Sequence, residues 1–258
     1  MNLPPTGAIS AANPRPVPQY GQVESTIDNG QSRYDAVEVQ YRARLKGIEN
    51  LTVSYAYSRS LINAVTFYNV FSGTDRTPDN YAYNPTNTPE NLSLSFATVA
   101  LPGKIILSGV FRALSTGPFA VTAGIDLDGD GNIQGDRPPG LPQTVGYGDV
   151  AGQVALINAF RANPCGYVNP GVTCTAKPLA PISKSLLNLV PLIDLDLRLT
   201  RVFSLGEHKK LELFFEGYNV TNHVTPTGGA TSMTSAALFV RTGALDPRQL
   251  QWGTRFTF

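Results

Sequence analysis

No stretch of this 258-residue chain approaches the ~18 consecutive apolar residues that a membrane-spanning helix needs. Charge is scarce as well. Asp, Glu, Lys and Arg make up 15% of the chain, against ~25% in ordinary soluble domains. The net charge is +1 and no Lys/Arg-rich block stands out, which argues against a nucleic-acid partner. Two cysteines exclude a disulfide-built miniprotein. The opening Met1-Asn2-Leu3-Pro4-Pro5-Thr6-Gly7 has neither the basic start nor the apolar core of an export signal. The expectation from that end is a fragment, or a gene product that has lost its front. What the chain does have is Gly (24), Pro (20), Tyr (11) and Phe (12).

The dominant pattern is alternation, in which side chains switch faces at every residue as they do in a strand. Val37, Val39, Tyr41, Ala43 and Leu45 alternate with Glu38, Gln40, Arg42, Arg44 and Lys46. Leu51, Val53, Tyr55 and Tyr57 alternate with Thr52, Ser54, Ala56 and Ser58, and Leu92, Leu94 and Phe96 with Ser93, Ser95 and Ala97. A weaker case runs from Ile105 to Arg112. The clearest is Ile193-Asp194-Leu195-Asp196-Leu197-Arg198-Leu199-Thr200-Arg201. Leu211, Leu213 and Phe215 then oppose Glu212, Phe214 and Glu216, and Leu250, Trp252, Thr254, Phe256 and Phe258 oppose Gln251, Gly253, Arg255 and Thr257. These are about seven strands, each near the ~9–11 residues that a tilted strand needs to cross a bilayer.

Connection lengths alternate too. Strands 34–46 and 50–60, 92–101 and 104–113, and 191–203 and 210–221 are joined by short turns. Between these hairpins lie long polar loops at about 61–90, 114–190 and 222–248. Short turns on one side and long loops on the other are the plan of a transmembrane barrel, with the long loops extracellular. A compact soluble domain rarely tolerates loops of that length. The competing architecture is a soluble β-sandwich, whose strands also alternate. Each strand alone is ambiguous; the seven with their alternating loops favour the barrel. The expected fold is therefore all-β: an antiparallel transmembrane β-barrel segment of about seven strands, an incomplete barrel with long extracellular loops. Residues 1–33 are expected to be a loop or partial strand leading into a barrel segment at 34–258.

The chain ends on an amphipathic strand with a terminal Phe. Trp252, Phe256 and Phe258 look like the terminal recognition signal of outer-membrane proteins that the barrel-assembly machinery reads. Aromatics near strand ends also suit an interfacial girdle. In the longest loop, Asp126, Asp128, Asp130, Asn132 and Asp136 form a run rich in glycine. Alternate aspartates can place hard oxygen ligands around one calcium ion, and glycine permits the sharp turn. The start resembles an EF-hand loop. Arg137 stands where the closing Glu belongs, however, and no helical pattern flanks the segment. A weak calcium site and a plain polar loop both fit.

Several phrases together resemble the TonB-dependent receptors with an Oar-like barrel. They are Ser115-Thr116-Gly117-Pro118-Phe119, Asp126-Leu127-Asp128-Gly129-Asp130-Gly131, Asp136-Arg137-Pro138, Ser32-Arg33-Tyr34-Asp35-Ala36, Val53-Ser54-Tyr55-Ala56-Tyr57-Ser58-Arg59-Ser60 and Pro247-Arg248-Gln249. The resemblance runs over about residues 16–258, and the order and spacing of the phrases carry it. It implies a C-terminal barrel segment from a protein with a carboxypeptidase-like domain, a plug and a barrel of about 22 strands. It also implies that the plug and the TonB system are partners outside this chain. The lumen-facing candidates are Glu38, Arg42, Asp194, Asp196, Arg198, Glu212 and Glu216.

Cys165 and Cys174 share the longest loop. A disulfide across this spacing suits an oxidising exterior, and two free thiols are the alternative. Val150–Phe160 reads as a short helix packed within that loop. No enzyme motif emerges. His208 and His223 fall in no metal or nucleophile spacing. Asp194 and Asp196 share a strand face as the paired acids of a glycosidase can, but the nearby Arg198, Arg201, Glu212 and Glu216 suggest a charge-paired wall.

The expected function is outer-membrane transport of a large solute such as a ferric chelate or an oligosaccharide, in contact with outer-membrane lipid. A non-transporting surface or adhesion protein is the alternative, and a soluble calcium-dependent β module a weaker one. Open sheet edges are an aggregation liability, so the isolated chain is not expected to fold as a stable monomer in water.

Overall fold

The computed structural model describes residues 17, 19, 30–63, 82–99, 101–129, 131, 133 and 135–258. Seven long strands follow one another across a single sheet: β1 (Ser32–Leu45), β2 (Ile48–Ile62), β3 (Glu90–Thr98), β4 (Ile105–Leu114), β5 (Leu192–Ser204), β6 (Lys210–Tyr218) and β7 (Gln249–Thr257). Spatial order equals chain order, every ladder is antiparallel, and the sheet is not closed. A two-residue strand, Ala82–Tyr83, is added beside the end of β2.

The register explains why the sequence alternates. Val39 faces Tyr55, which faces Leu92, which faces Ala113. Phe111 faces Leu195, Leu199 faces Phe215, and Phe215 faces Trp252. One apolar face thus runs unbroken across all seven strands. A one-residue slip in any ladder would set apolar residues among charges, so the pattern pins the pairing. On this face Gly109 is crowded. A Cβ there would meet Leu197 at 2.7 Å and the Phe96 ring at 2.8 Å, so the side chains close over a bare backbone.

Each short turn falls between the strands that the sequence pairs, but the first is tighter than expected, with β2 starting at Ile48 and not at 50. Lys46-Gly47 joins β1 to β2, with Gly47 at φ +87. Pro102-Gly103-Lys104 joins β3 to β4 through two successive left-handed residues, Gly103 and Lys104. β3 stops at Thr98, before the expected 101, because Leu101 pairs only with Ile105 across that turn. β6 stops at Tyr218, before the expected 221. Asn219 and Asn222 both adopt positive φ, and Asn219 turns the chain by accepting from the His223 N–H and donating to the His223 carbonyl.

The long loops depart from the sequence reading. The segments at 114–190 and 222–248 do not form a purely polar fringe. They fold together into a body that contains most of the buried apolar residues among those described. Val121, Ala123, Leu127, Leu141, Val145, Ile157, Phe160, Ile182 and Leu187 pack with Met233, Leu238 and Phe239. The helix α1 (Val150–Ala162) supplies Ile157 and Phe160 and starts on Asp149, whose carboxylate accepts the Gly152 N–H. The third long loop, at 61–90, is described only in part. Both of its described parts join the same body, where Gln143 donates to the Asn63 carbonyl and Thr144 to the Tyr83 carbonyl.

Candidate functional site

The face opposite the apolar one carries the paired charges of the sheet, with Val110, Val202 and Phe214 set among them. Glu38, Arg42, Asp194, Asp196, Arg198, Glu212 and Glu216 all lie on it by register. The structure does not gather all seven. Glu38 and Arg42 sit in the outer strand β1, opposite Ala56 and Thr52. The other five form a band over β5 and β6, completed by three residues that sequence reasoning did not select: Arg112, Gln251 and Arg255.

Arg198 is the hub. Its guanidinium donates to Glu212 and to Glu216 at 2.7 Å each, and its central carbon lies 4.3 Å from the centre of the Phe214 ring. One cation thus meets two carboxylates and an aromatic face, a combination suited to the flat, weakly hydrated guanidinium. Phe214 is the one large apolar side chain of β6 on the polar face, and its ring covers Gly253. A Cβ at 253 would stand 2.4 Å from the ring tip. The aromatic shields a glycine in the neighbouring strand and offers Arg198 a platform. Arg255 approaches Glu212 at 3.8 Å, and the Gln251 amide donates to Glu216. One strand earlier, Arg112 pairs with Asp194 at 2.5 Å and stands 3.9 Å from Asp196. Asp196 also accepts the Asn219 N–H, which ties the wall to the start of the last long loop. The signal for Arg112 was present in the sequence, but its partner Asp194 is 82 residues away. Only the pairing of β4 with β5 makes them neighbours.

Two depressions lie along this wall. One of about 240 Å³ spans from Asn50 and Ser95 through Ser108 to Arg198 and Glu216. The other, of about 530 Å³, lies at the loop end, among Arg112, Asp194, Tyr218, His223 and Asp246. In the second, the His223 ring nitrogen lies 3.1 Å from the Pro191 carbonyl. His208 is exposed in the turn between β5 and β6.

The loop body is held by buried polar contacts as well as by its core. Arg161 is 2% exposed. It donates to three backbone carbonyls, of Ala180, Met233 and Ser235. Its burial holds the guanidinium below its ordinary pKa, and the carbonyls supply the partners that a buried cation requires. Arg241 lies 4.3 Å from the centre of the Phe119 ring, and burial lowers its pKa too. Cys165 and Cys174 are joined, with Cα atoms 5.6 Å apart. Tyr147 donates to the Thr116 carbonyl and packs edge-on to Tyr83. Burial, followed by the nearby Tyr83 and Glu90, pushes its pKa up to about 12.

Carboxylate oxygens of Asp126, Asp128 and Asp136 lie within 4.8 Å of one another. Asp130 and Asn132 lie outside the described residues. Asp126 accepts the N–H groups of Gly129 and Gly131, and Asp136 accepts that of Leu127. Three clustered carboxylates suit a hard cation. Their bonds to backbone N–H groups equally suit a turn that folds without one. At the C-terminus, Trp252 and Phe256 lie on the apolar face, and Phe258 stacks on Phe256 with ring centres 5.9 Å apart.

An antiparallel meander with one apolar and one charge-paired face, short turns at one end and long loops at the other, defines a wall of a transmembrane β-barrel. The chain belongs to the family described as outer membrane beta barrel domain, whose model matches residues 1–251. Its place is therefore the outer membrane. A comparison with curated proteins found no match.

Proposed function

We propose that this chain is the C-terminal wall of a TonB-dependent receptor barrel that takes up a large solute, such as a ferric chelate or an oligosaccharide. The observation that carries the reading is the charge-paired inner face. Arg112 and Arg198 are matched by carboxylates from neighbouring strands, as expected of a surface that faces water or a polar plug and not lipid. The apolar face would meet outer-membrane lipid, and the loop body would stand outside the cell to meet the solute. Trp252, Phe256 and Phe258 would be read by the barrel-assembly machinery. The plug and the TonB system would be supplied beyond the seven strands.

A second reading has an observation of its own. The loop body has an ordered core and a disulfide, which suits a surface protein used for adhesion. A soluble calcium-dependent module fares worse, because the apolar face of the sheet is uncovered: Trp252 is 79% exposed.

The deciding experiment reads the DNA directly upstream of the Met1 codon. An in-frame plug and signal sequence support the receptor. An intergenic start with its own ribosome-binding site overturns it in favour of the surface protein.

A further inference from the structure

One cation stands on the apolar side of the sheet. Arg201 does not join the charge-paired wall. Its ladder partners are Ile105 and Leu213, and Thr254 follows in the next strand, so it shares the apolar face with Leu197, Leu199 and Phe203. It is exposed. Its guanidinium makes no hydrogen bond or ion pair among the described residues, and its central carbon lies 4.6 Å from the centre of the Phe203 ring. The other end of the same face is different. There Arg33 pairs with Asp35 at 2.8 Å, and Asp35 faces Arg59 across the ladder.

Position explains how a charge without a carboxylate is tolerated there. Arg201 lies close to the end of β5 at Ser204, on the side of the short turns. A charge that faces lipid costs most at the bilayer midplane and little near the interface. Phe203 lies nearer the turn, in the last apolar row with Leu211 and Phe256. A guanidinium over that ring is drawn toward the water boundary while its stem covers apolar surface, as long basic side chains do. Lys104, in the turn before Ile105, and Lys209, in the turn after β5, are exposed at the same end, with Glu207 as the acid of the second turn. Glu212 does not compete, because it lies on the polar face and is held by Arg198.

We propose that Arg201 and Phe203 form a seat for the phosphate of an anionic phospholipid in the periplasmic leaflet, with Lys104 and Lys209 adding charge around it. The proposal rests on the reading that the apolar face meets lipid. The short turns of such barrels lie on the periplasmic side, which sets the leaflet. The guanidinium offers a flat fork of N–H donors that fits two phosphate oxygens. The Phe203 ring takes one face of that plane and leaves the donor edge free. An anionic lipid supplies the counter-charge at the depth where the guanidinium already lies. A zwitterionic lipid supplies less, because its own ammonium competes for the phosphate.

The test embeds the full chain in vesicles of phosphatidylcholine and reads the fluorescence of Trp252, the single tryptophan. Trp252 lies on the same face in the row of Leu199 and Phe215, next to the row of Arg201 and two strands away, about 10 Å. A fixed fraction of the lipid is replaced by phosphatidylglycerol or by phosphatidylcholine with brominated acyl chains, which quench tryptophan on contact. The expected result is a preference of about fivefold for brominated phosphatidylglycerol, the size that one basic side chain gives at an anionic surface. Arg201→Gln should abolish the preference. Arg201→Lys keeps the charge without the flat fork, and should leave about twofold. Quenching of each variant by brominated phosphatidylcholine shows that it is embedded. Equal quenching of the parent by the two brominated lipids overturns the proposal. So does a preference that survives Arg201→Gln, which would assign it to the turn lysines. A parent quenched by neither lipid instead sinks the reading that the apolar face meets lipid.

Discussion

Phe160 in the loop body has no exposed surface, whereas Trp252 in the last strand is 79% exposed. Both are aromatic and both are held in regular structure, yet their environments are opposite. The loop body buries apolar side chains against one another, as any water-soluble fold does. The sheet turns its apolar side chains outward, with Val37, Tyr41, Leu199 and Phe215 all exposed. Two solvents explain the contrast. Lipid accepts the apolar face without a protein partner, so the sheet needs no core of its own and its stability comes from ladders and from paired charges on the other face. The loop body meets water and must make its own interior.

Three tests break this comparison if it is wrong. Phe160→Ala should lower the stability of the loop body by about 3–5 kcal/mol, because it removes a fully buried ring. Protease resistance of the loops should fall while the embedded sheet stays intact, and loss of the sheet at the same denaturant concentration would show that the two regions are one unit. Leu199→Arg, on the apolar face in mid-strand, should lower sheet stability in a bilayer by about 2–4 kcal/mol. Its control is Ala56→Arg, opposite Glu38 on the polar face, which should stay within about 0.5 kcal/mol of the parent. Urea unfolding in lipid vesicles, followed by the single Trp252, measures both. Equal effects would mean that the faces have been assigned wrongly. Replacing Cys165 and Cys174 together by Ser should lower the unfolding free energy of the loop body by about 2–3 kcal/mol through a freer unfolded chain. Sheet unfolding should not change.

The two regions also differed in how far they could be read from sequence. A strand repeats every two residues, so the run from Ile193 to Arg201 announces its two faces over a short stretch. All seven strands were legible for that reason, to within a few residues at their ends. The polar wall was half legible. Asp194, Arg198 and Glu216 could be assigned to one face, but Arg112 joins them only across a ladder that spans the longest loop. The loop body was not legible beyond its helix and its cysteines. Its core joins Val121 to Met233 and Phe119 to Phe239, far apart in the chain, without any repeat to mark them. Arg161 gave no sign either, because its partners are backbone carbonyls, which every residue has.

The smallest expected effect probes where the two regions meet. Tyr147 belongs to the loop body, and its hydroxyl bonds the Thr116 carbonyl just beyond the end of β4. Its pKa is raised from 10.0 to about 12, first by burial and then by the charges of Tyr83 and Glu90. The folded form therefore holds the proton more tightly than the unfolded chain does. Its stabilising contribution is whole below pH 10, declines as pH rises from 10 to about 12, and is lost above that. Tyr147→Phe removes both the hydrogen bond and the titration. At neutral pH it should lower loop-body stability by about 1 kcal/mol, and between pH 10 and about 12 the gap to the parent should close. Melting curves of the two proteins across that window measure the gap directly. A gap that widens with pH would mean that the phenol is stabilised as its anion, and the assigned contact between loop body and sheet would be wrong.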